Sequence, residues 1–174
     1  SSLGAGNGGT LSIDAETLTI QDGAGILTST FDAQTFDPSL ILFPPNLLPA
    51  ATDALDGADA TTTQGDSGAI TVTAREAITV SRDGFIATVA GGAASGGALT
   101  IRAPVVTVEN ATIRSSATDT GNAGALTIED VQQITVDGGL IAAETLAGGT
   151  GQGGDIRLST DRLQVSNGCE VSSS

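Results

Sequence analysis

Apolar and polar residues alternate along most of the chain in short groups that recur. The clearest copy is GNAGALTIEDVQQITV, at residues 121–136. It contains a G-x-x-G turn and two apolar–Thr–apolar groups, at 126–128 and 134–136, which a short polar link joins. Strict alternation of this kind has the period of a β-strand with one buried face. The phrase therefore predicts a turn followed by two short strands.

The same phrase occurs five times, which identifies a repeat protein. The other copies begin at Gly6, Gly65, Ala94 and Gly151 and read GNGGTLSIDAETLTI, GDSGAITVTAREAITV, ASGGALTIRAPVVTV and GQGGDIRLSTDRLQV. A third strand follows a turn in each copy. These third strands centre on Ile26, Ile86, Ile113, Ile141 and Val171. Strands this short are not stable in isolated hairpins, but each can pair with its counterpart in the next copy.

The repeats predict an all-β fold, a right-handed parallel β-helix (β-solenoid) of about five coils with three short strands in each. The pairing is parallel because every copy runs in the same direction. The right hand follows from the strong preference of parallel crossover connections. Apolar strand positions should fill the interior, and Thr positions should face outward. The chain, 1–174, is expected to form a single β-helix domain.

One stretch, at 30–64, does not follow the repeat. It contains FDPSLILFPPNLLPAATDAL, and its two consecutive prolines exclude a central strand. We interpret it as an irregular insertion that leaves the coil at one corner and as the best candidate for a specific contact. The candidate residues are Leu40, Ile41, Leu42, Phe43, Leu47 and Leu48. The insertion either covers the outer wall or an open end, or it docks on a neighbouring molecule.

The amino-acid composition restricts the classes of function that are possible. The chain has 20 acidic and 6 basic residues, and its net charge is −14. This charge argues against binding to nucleic acid or to an anionic membrane surface, since both require cationic patches. His, Trp and Tyr are absent, and no apolar run is long enough for a membrane-embedded segment. The sequence contains no catalytic constellation, so we expect a protein that is not an enzyme.

The turn before each third strand contains an acidic or amide residue. Asp22, Asp83 and Asp137 are expected on one ladder, together with Asn110 and Asn167. Stacked carboxylates repel one another, and calcium with oxygen ligands would relieve the repulsion. Asp and Asn are also ordinary turn formers, which is the favoured interpretation. Calcium therefore stays a candidate stabiliser, and no other cofactor is expected.

Two alternative functions arise from the predicted fold. Regular rows of outward Thr are a feature of some ice-binding modules, although β-propensity and hydroxyl pairing between coils also explain them. Parallel β-helices also include polysaccharide-active enzymes, which need clustered carboxylates in an external groove. Here the outward positions are mostly Thr, and Arg157, Asp161 and Arg162 belong to one coil only. Both alternatives are weaker than a structural role.

The repeats resemble those of filamentous-haemagglutinin-like large exoproteins, particularly of the cyanobacterial type. The resemblance lies in the phrase at 121–136, in DGGLIAAETLAGGTGQGGDIRLSTDRLQV at 137–165 and in DGAGILTSTF at 22–31, and it covers 6–31 and 65–174. Members of that family are right-handed β-helical rods, secreted through a partner outer-membrane transporter. They act as adhesins or as surface and filament components. The amino-terminal secretion domain of that family is not evident in this sequence.

The resemblance implies a non-enzymatic structural or adhesive segment of an exported bacterial surface protein. Such a segment would form a stiff rod or fibre outside the cell or on its surface. The expected partners are further copies of the chain, bound head-to-tail or through the insertion, and cell-surface or matrix components. Nucleic acid is not an expected partner.

Overall fold

A computed structural model describes residues 2–3, 7–31, 65–146 and 148–174 of the chain. All regular structure in these ranges is β-strand. Strands of successive repeats lie side by side in parallel and build two sheets. The predicted all-β parallel β-helix is therefore confirmed, and its right hand stays a prediction.

The first sheet, called here the long-strand sheet, has five rungs and makes about four turns of the solenoid. Its strands are β2 (Leu11–Ile20), β4 (Ile70–Ser81), β6 (Leu99–Arg102), β7 (Val105–Glu109), β9 (Leu126–Asp137) and β11 (Ile156–Ser166). In four rungs, the first two strands of the repeat and the link between them form one continuous strand. Only the third rung, with β6 and β7, keeps the predicted division into two short strands.

The link stays in the sheet because shifts of register in the β2–β4 and β9–β11 pairs absorb its extra residue. The third rung differs because it contains Pro104, which has no N–H to donate to a ladder. The carbonyl oxygen of Pro104 still accepts the N–H groups of Gln132 and Gln133 in the next coil. One proline thus divides the strand without separating the coils.

The second sheet, called here the short-strand sheet, is formed by the third strands of the repeats. Its strands are β1 (Ser2–Leu3), β3 (Gly25–Phe31), β5 (Phe85–Ala90), β8 (Thr112–Ala117), β10 (Leu140–Thr145) and β12 (Glu170–Ser173). The predicted centres of the third strands occupy one column, in the order Ile26, Ile86, Ile113, Ile141 and Val171. This register confirms the repeat as it is aligned from the sequence.

The core lies between the inward faces of the two sheets. Five columns of Leu, Ile and Val run through the three middle coils, and every member there is fully buried. The columns are Ile70, Leu99 and Leu126; Val72, Ile101 and Ile128; Ile78, Val106 and Ile134; Val80, Val108 and Val136; and Ile86, Ile113 and Ile141. The predicted inward positions are thus confirmed in these coils.

Successive coils approach most closely at the G-x-x-G turns. A Cβ atom on Gly97 would collide with the backbone oxygen of Gly68, and one on Gly124 would collide with that of Gly97. Because the colliding atoms belong to backbone, no side-chain movement could relieve the clash. The last glycine of each turn therefore sets how tightly the coils stack.

A column of inward hydroxyl groups forms hydrogen bonds to the backbone of these turns. The repeat pattern does not predict this column. The Thr88 hydroxyl donates a hydrogen bond to the Gly97 carbonyl oxygen at 2.8 Å. The Ser115 hydroxyl accepts the N–H of Gly124 at 2.9 Å and donates to the Gly97 oxygen at 3.0 Å. Similar contacts occur in the first and last coils. Buried backbone groups at the turns thus find partners inside the coil.

The inward assignment predicts a large loss of stability for Leu126→Asp. Leu126 is fully buried among core residues of neighbouring coils, so an aspartate there would be a buried charge without a partner. We expect a loss of roughly 3–5 kcal/mol or more in the free energy of unfolding. Urea unfolding followed by circular dichroism measures it.

The matched control is Ala125→Asp, one residue earlier, where the side chain is exposed. This variant should lie within about 0.5 kcal/mol of the parent. If both variants unfold at the same urea concentration as the parent, the inward assignment of Leu126 is incorrect.

The hydroxyl column predicts that Thr88→Val is destabilising although the side chain keeps its shape. The variant leaves buried polar groups of the turn with fewer partners, which should lower the free energy of unfolding by about 1–3 kcal/mol. Thr79→Val makes the same change on the outer face, where Thr79 is half-buried, and should have little effect. Thermal unfolding of both variants tests this. Equal melting temperatures would show that the hydroxyl contributes nothing.

Candidate interaction surfaces

The outer face of the long-strand sheet has two rows of Thr in register. One row contains Thr71, Thr100 and Thr127, and the other contains Thr19, Thr79, Thr107 and Thr135. In the last coil the rows continue with Arg157 and Gln164. The structure thus confirms that the predicted Thr residues form ladders on the outer face.

The column beside the first Thr row is charged. It contains Asp14, Thr73, Arg102 and Glu129 in successive coils. The Arg102 guanidinium forms an ion pair with Glu129 and lies 3.6 Å from the carboxylate of Asp130. The two described Thr rows are therefore separated by other columns and do not form a flat face with paired Thr rows.

The prediction that Asp22, Asp83 and Asp137 share one ladder is wrong. Asp137 is paired in register with Glu109, whereas the carboxylate of Asp22 lies 2.8 Å from the guanidinium of Arg82. Asp83 follows Arg82 and thus lies one position further along the turn. The three carboxylates consequently belong to different columns.

Unequal corner lengths explain this error. The corner from the long-strand sheet to the short-strand sheet has four residues in the first coil, at 21–24, and three in the second and last coils, at 82–84 and 167–169. It has two residues in the third and fourth coils, at 110–111 and 138–139. A difference of one residue moves similar Asx-Gly pairs out of register, although the strands on both sides stay aligned.

Turn formation accounts for these acidic residues. Asp22 and Asp83 adopt positive φ angles of 56° and 63°, which Asp tolerates better than most residues. The Asp137 carboxylate accepts a hydrogen bond from the side-chain amide of Asn167. Within the described ranges, no three His, Cys, Asp or Glu residues come together as a metal-binding group.

The outer face of the short-strand sheet is different, because its centre is apolar and buried. Phe85, Ala87 and Val89 alternate along β5 with inward residues. Together with Leu27 of the neighbouring coil they form a hydrophobic cluster that is separate from the core. Val89 is fully buried and Phe85 is only 7% exposed. We call Leu27, Phe85, Ala87 and Val89 the outer patch.

The ring of Phe85 lies across a glycine of the neighbouring coil. Gly25 and Phe85 are partners in register, and a Cβ atom on Gly25 would collide with the ring. An aromatic ring over a glycine on the adjacent strand shields backbone and replaces the missing side-chain packing.

Arg114 lies next to the outer patch, paired in register with Ala87 and Ala142. It is 5% exposed. Burial lowers the pKa of its guanidinium below the usual value, and the nearby carboxylate of Glu144 partly offsets this effect. Among the described residues, no carboxylate forms an ion pair with Arg114. A buried guanidinium requires acidic or hydrogen-bonding partners.

The last coil presents an open cross-section of the core. Leu163 and Val165 are 47% and 48% exposed, whereas Ile134 and Val136, their partners in the preceding coil, are fully buried. Val171 in β12 is also exposed, by 40%. β11 is a terminal strand of the long-strand sheet, so one side of its ladder is unpaired.

The predicted contact residues of the insertion lie outside the described residues. They are Leu40, Ile41, Leu42, Phe43, Leu47 and Leu48. The outer patch and Arg114 are absent from the sequence-based predictions, although the sequence contains a signal for them. The third strands FIATVA and TIRSSA do not follow the apolar–Thr–apolar alternation, and both contain outward residues that are buried.

Comparisons with known proteins give no match to a family model, to a curated protein or to a solved structure. The resemblance to large exoproteins therefore stays a prediction from the repeats. In the part of the chain that the structure describes, no helix has the length and apolar character needed to cross a membrane.

The arrangement of Asp22, Asp83 and Asp137 predicts that calcium does not stabilise the fold. A site bound at a hundred times its dissociation constant would add about 2.7 kcal/mol to the free energy of unfolding. We expect the same melting temperature in EDTA and in millimolar calcium. If calcium raises the melting temperature, and if Asp83→Asn or Asp137→Asn abolishes that increase, the prediction is incorrect and a calcium site exists.

Proposed function

We propose that this chain is a non-enzymatic structural and adhesive segment of an exported bacterial surface protein, in which stacked coils form a stiff extracellular rod or fibre. The observation that supports it best is the stacking of five rungs, with apolar columns that are fully buried through the three middle coils. In a solenoid each coil contacts only its neighbours, so an open end accepts another coil of the same pattern. Unpaired strand edges favour the same extension.

The occupant that we propose for this end is the first coil of a second copy. β2 and β11 are the two terminal strands of the long-strand sheet, so a head-to-tail contact would place them side by side. Leu163 and Leu18 share one inward column, and Val165 and Ile20 share another. Each pair would continue its column across the contact. Complete burial of such a side chain contributes about 1.5–3 kcal/mol.

One pair of charges on the two ends is complementary. Arg162 shares a column with Thr17, which follows Glu16, and all three side chains are exposed. The contact would thus bring Arg162 of one copy close to Glu16 of the other. Exposed ion pairs contribute little affinity, but they favour one register over others. A head-to-tail contact that does not close into a ring produces a filament.

The adhesive role and the extracellular location depend on sequence features. The repeats at 121–136 and 137–165 resemble those of exported exoproteins, and the net charge of −14 disfavours nucleic acid as a partner. The partly exposed Thr rows give the wall a regular polar surface. Cell-surface or matrix components are the proposed partners of this wall, in addition to further copies of the chain.

Assembly of the purified chain tests the proposal. Sedimentation velocity from about 1 to about 100 µM, the range of moderate protein–protein affinities, should show mass that increases with concentration. Negative-stain microscopy should show rods or fibres. The double variant L163E/V165E places two charges on the open end, where both side chains are already half-exposed. It should therefore fold and remain monomeric.

The matched control is Gln164→Glu, between the two substituted residues and on the outer face. It adds a charge without touching the inward columns, so it should assemble as the parent does. A parent chain that stays monomeric over the whole range contradicts head-to-tail assembly. Equal assembly of the parent and the double variant would place the contact elsewhere.

A further inference from the structure

The buried centre of the short-strand sheet is unusual because it lies on the outside of the solenoid. The outward residues Ala87, Val89, Arg114 and Ala142 are between 0% and 5% exposed. On the long-strand sheet, the outward Thr residues remain partly exposed. An outer wall is normally hydrated, and a second layer over this face would account for the burial.

Such a layer would belong to the same chain, because the burial is that of a single molecule. The described strands do not supply it. β3 and β8 flank β5 within one sheet, and neighbours in a sheet lie beside a strand rather than above its outer face. The long-strand sheet packs on the opposite, inward side, through the core.

We propose that the outer face of the short-strand sheet is an internal docking surface, and that its occupant is the insertion. The predicted bounds of the insertion, 30–64, begin two residues too early, because Thr30 and Phe31 belong to β3, so the occupant is residues 32–64. Connectivity supports this assignment. The chain leaves the short-strand sheet at the end of β3 and re-enters the long-strand sheet at β4. Residues 91–98 and 118–125 make the corresponding connection in the next two coils. The much longer connection at 32–69 has ample length to cross three coils and return.

Chemistry supports the same occupant. The insertion contains the apolar run from Leu40 to Leu48, which matches an apolar surface formed by the outer patch. It also contains five Asp and no Lys or Arg. An acidic, apolar segment complements a surface that combines aliphatic side chains with a buried guanidinium. An Asp of the insertion would thus provide the ion-pair partner that Arg114 lacks among the described residues.

This proposal chooses between the two roles that the sequence leaves open for the insertion. Leu40 and its apolar neighbours would act as an intramolecular cover and would not bind a partner. The inference does not depend on head-to-tail assembly, because the docking surface lies on the wall and the open end lies on the last coil.

Thiol labelling of the full chain tests the cover. In a Cys169→Ser background, which removes the single native thiol, Ala142→Cys places a thiol at a fully buried outward position. Ala125→Cys is the matched control at an exposed position. We expect Cys at 142 to react with a maleimide at least about tenfold more slowly than Cys at 125. Equal rates would show that this face is open to solvent and would overturn the proposal.

The occupant is identified by weakening the insertion without deleting it. The combined variant L40S/I41S/L42S/F43S should increase the labelling rate at 142 by about tenfold or more and leave the rate at 125 unchanged. An unchanged rate at 142 would mean that this apolar run does not hold the cover. Far-UV circular dichroism of both proteins verifies that the coils remain folded.

A photo-crosslinking residue at Ala87 gives an answer that does not require a destabilised variant. The crosslinked peptide should come from residues 32–64 of the same chain. Mixing isotopically labelled and unlabelled protein separates this outcome from capture of a second copy. Crosslinks to a second copy, or to a segment other than 32–64, would overturn the assignment.

The role of Arg114 is tested in the same labelling assay. Arg114→Glu should increase the labelling rate at 142, because it would place a carboxylate against the acidic insertion. Arg114→Lys keeps the charge and should have a smaller effect. If Arg114→Glu leaves the rate unchanged, no carboxylate of the insertion pairs with Arg114.

Discussion

Pairing of each residue with its counterpart in the next coil is the interaction on which the rest of the structure depends. Apart from the shifts of register at the link between the first two strands, parallel ladders convert a sequence repeat into columns of like side chains. Leu, Ile and Val columns form the core, Thr columns form the outer wall, and inward hydroxyls meet the glycine turns. A substitution therefore acts on the two neighbouring coils as well as on its own.

The strands and the core could be predicted because alternation and repetition report them directly. The positions of Leu126 and Ile134 are apolar in every copy of the phrase, and burial of one face explains the spacing. The continuous long strands could not be predicted, since the link residues look polar and turn-like in the sequence. Their place in the sheet depends on a bulge, which tertiary pairing stabilises.

The surfaces were harder to predict because they depend on departures from the repeat. Asp83 and Asp137 look equivalent by sequence, but a corner that differs by one residue separates their columns. Phe85 and Arg114 occupy positions where the wall would otherwise be hydrated, and only the structure shows that both are buried. A periodic pattern thus predicts the scaffold, whereas specific contacts arise where the pattern changes.

The stacking of coils has a mechanical consequence. Ladder hydrogen bonds between coils run along the axis of the solenoid, so a pull along that axis would peel coils one at a time. Leu99 pairs with Leu126, so the coil that begins at Leu99 holds 27 residues. Once peeled, it extends to roughly 90 Å, whereas one rung occupies about 4.8 Å. The single cysteine forms no disulfide within the chain, so no internal crosslink limits this lengthening. Under load, the chain would therefore lengthen by unwinding one coil after another.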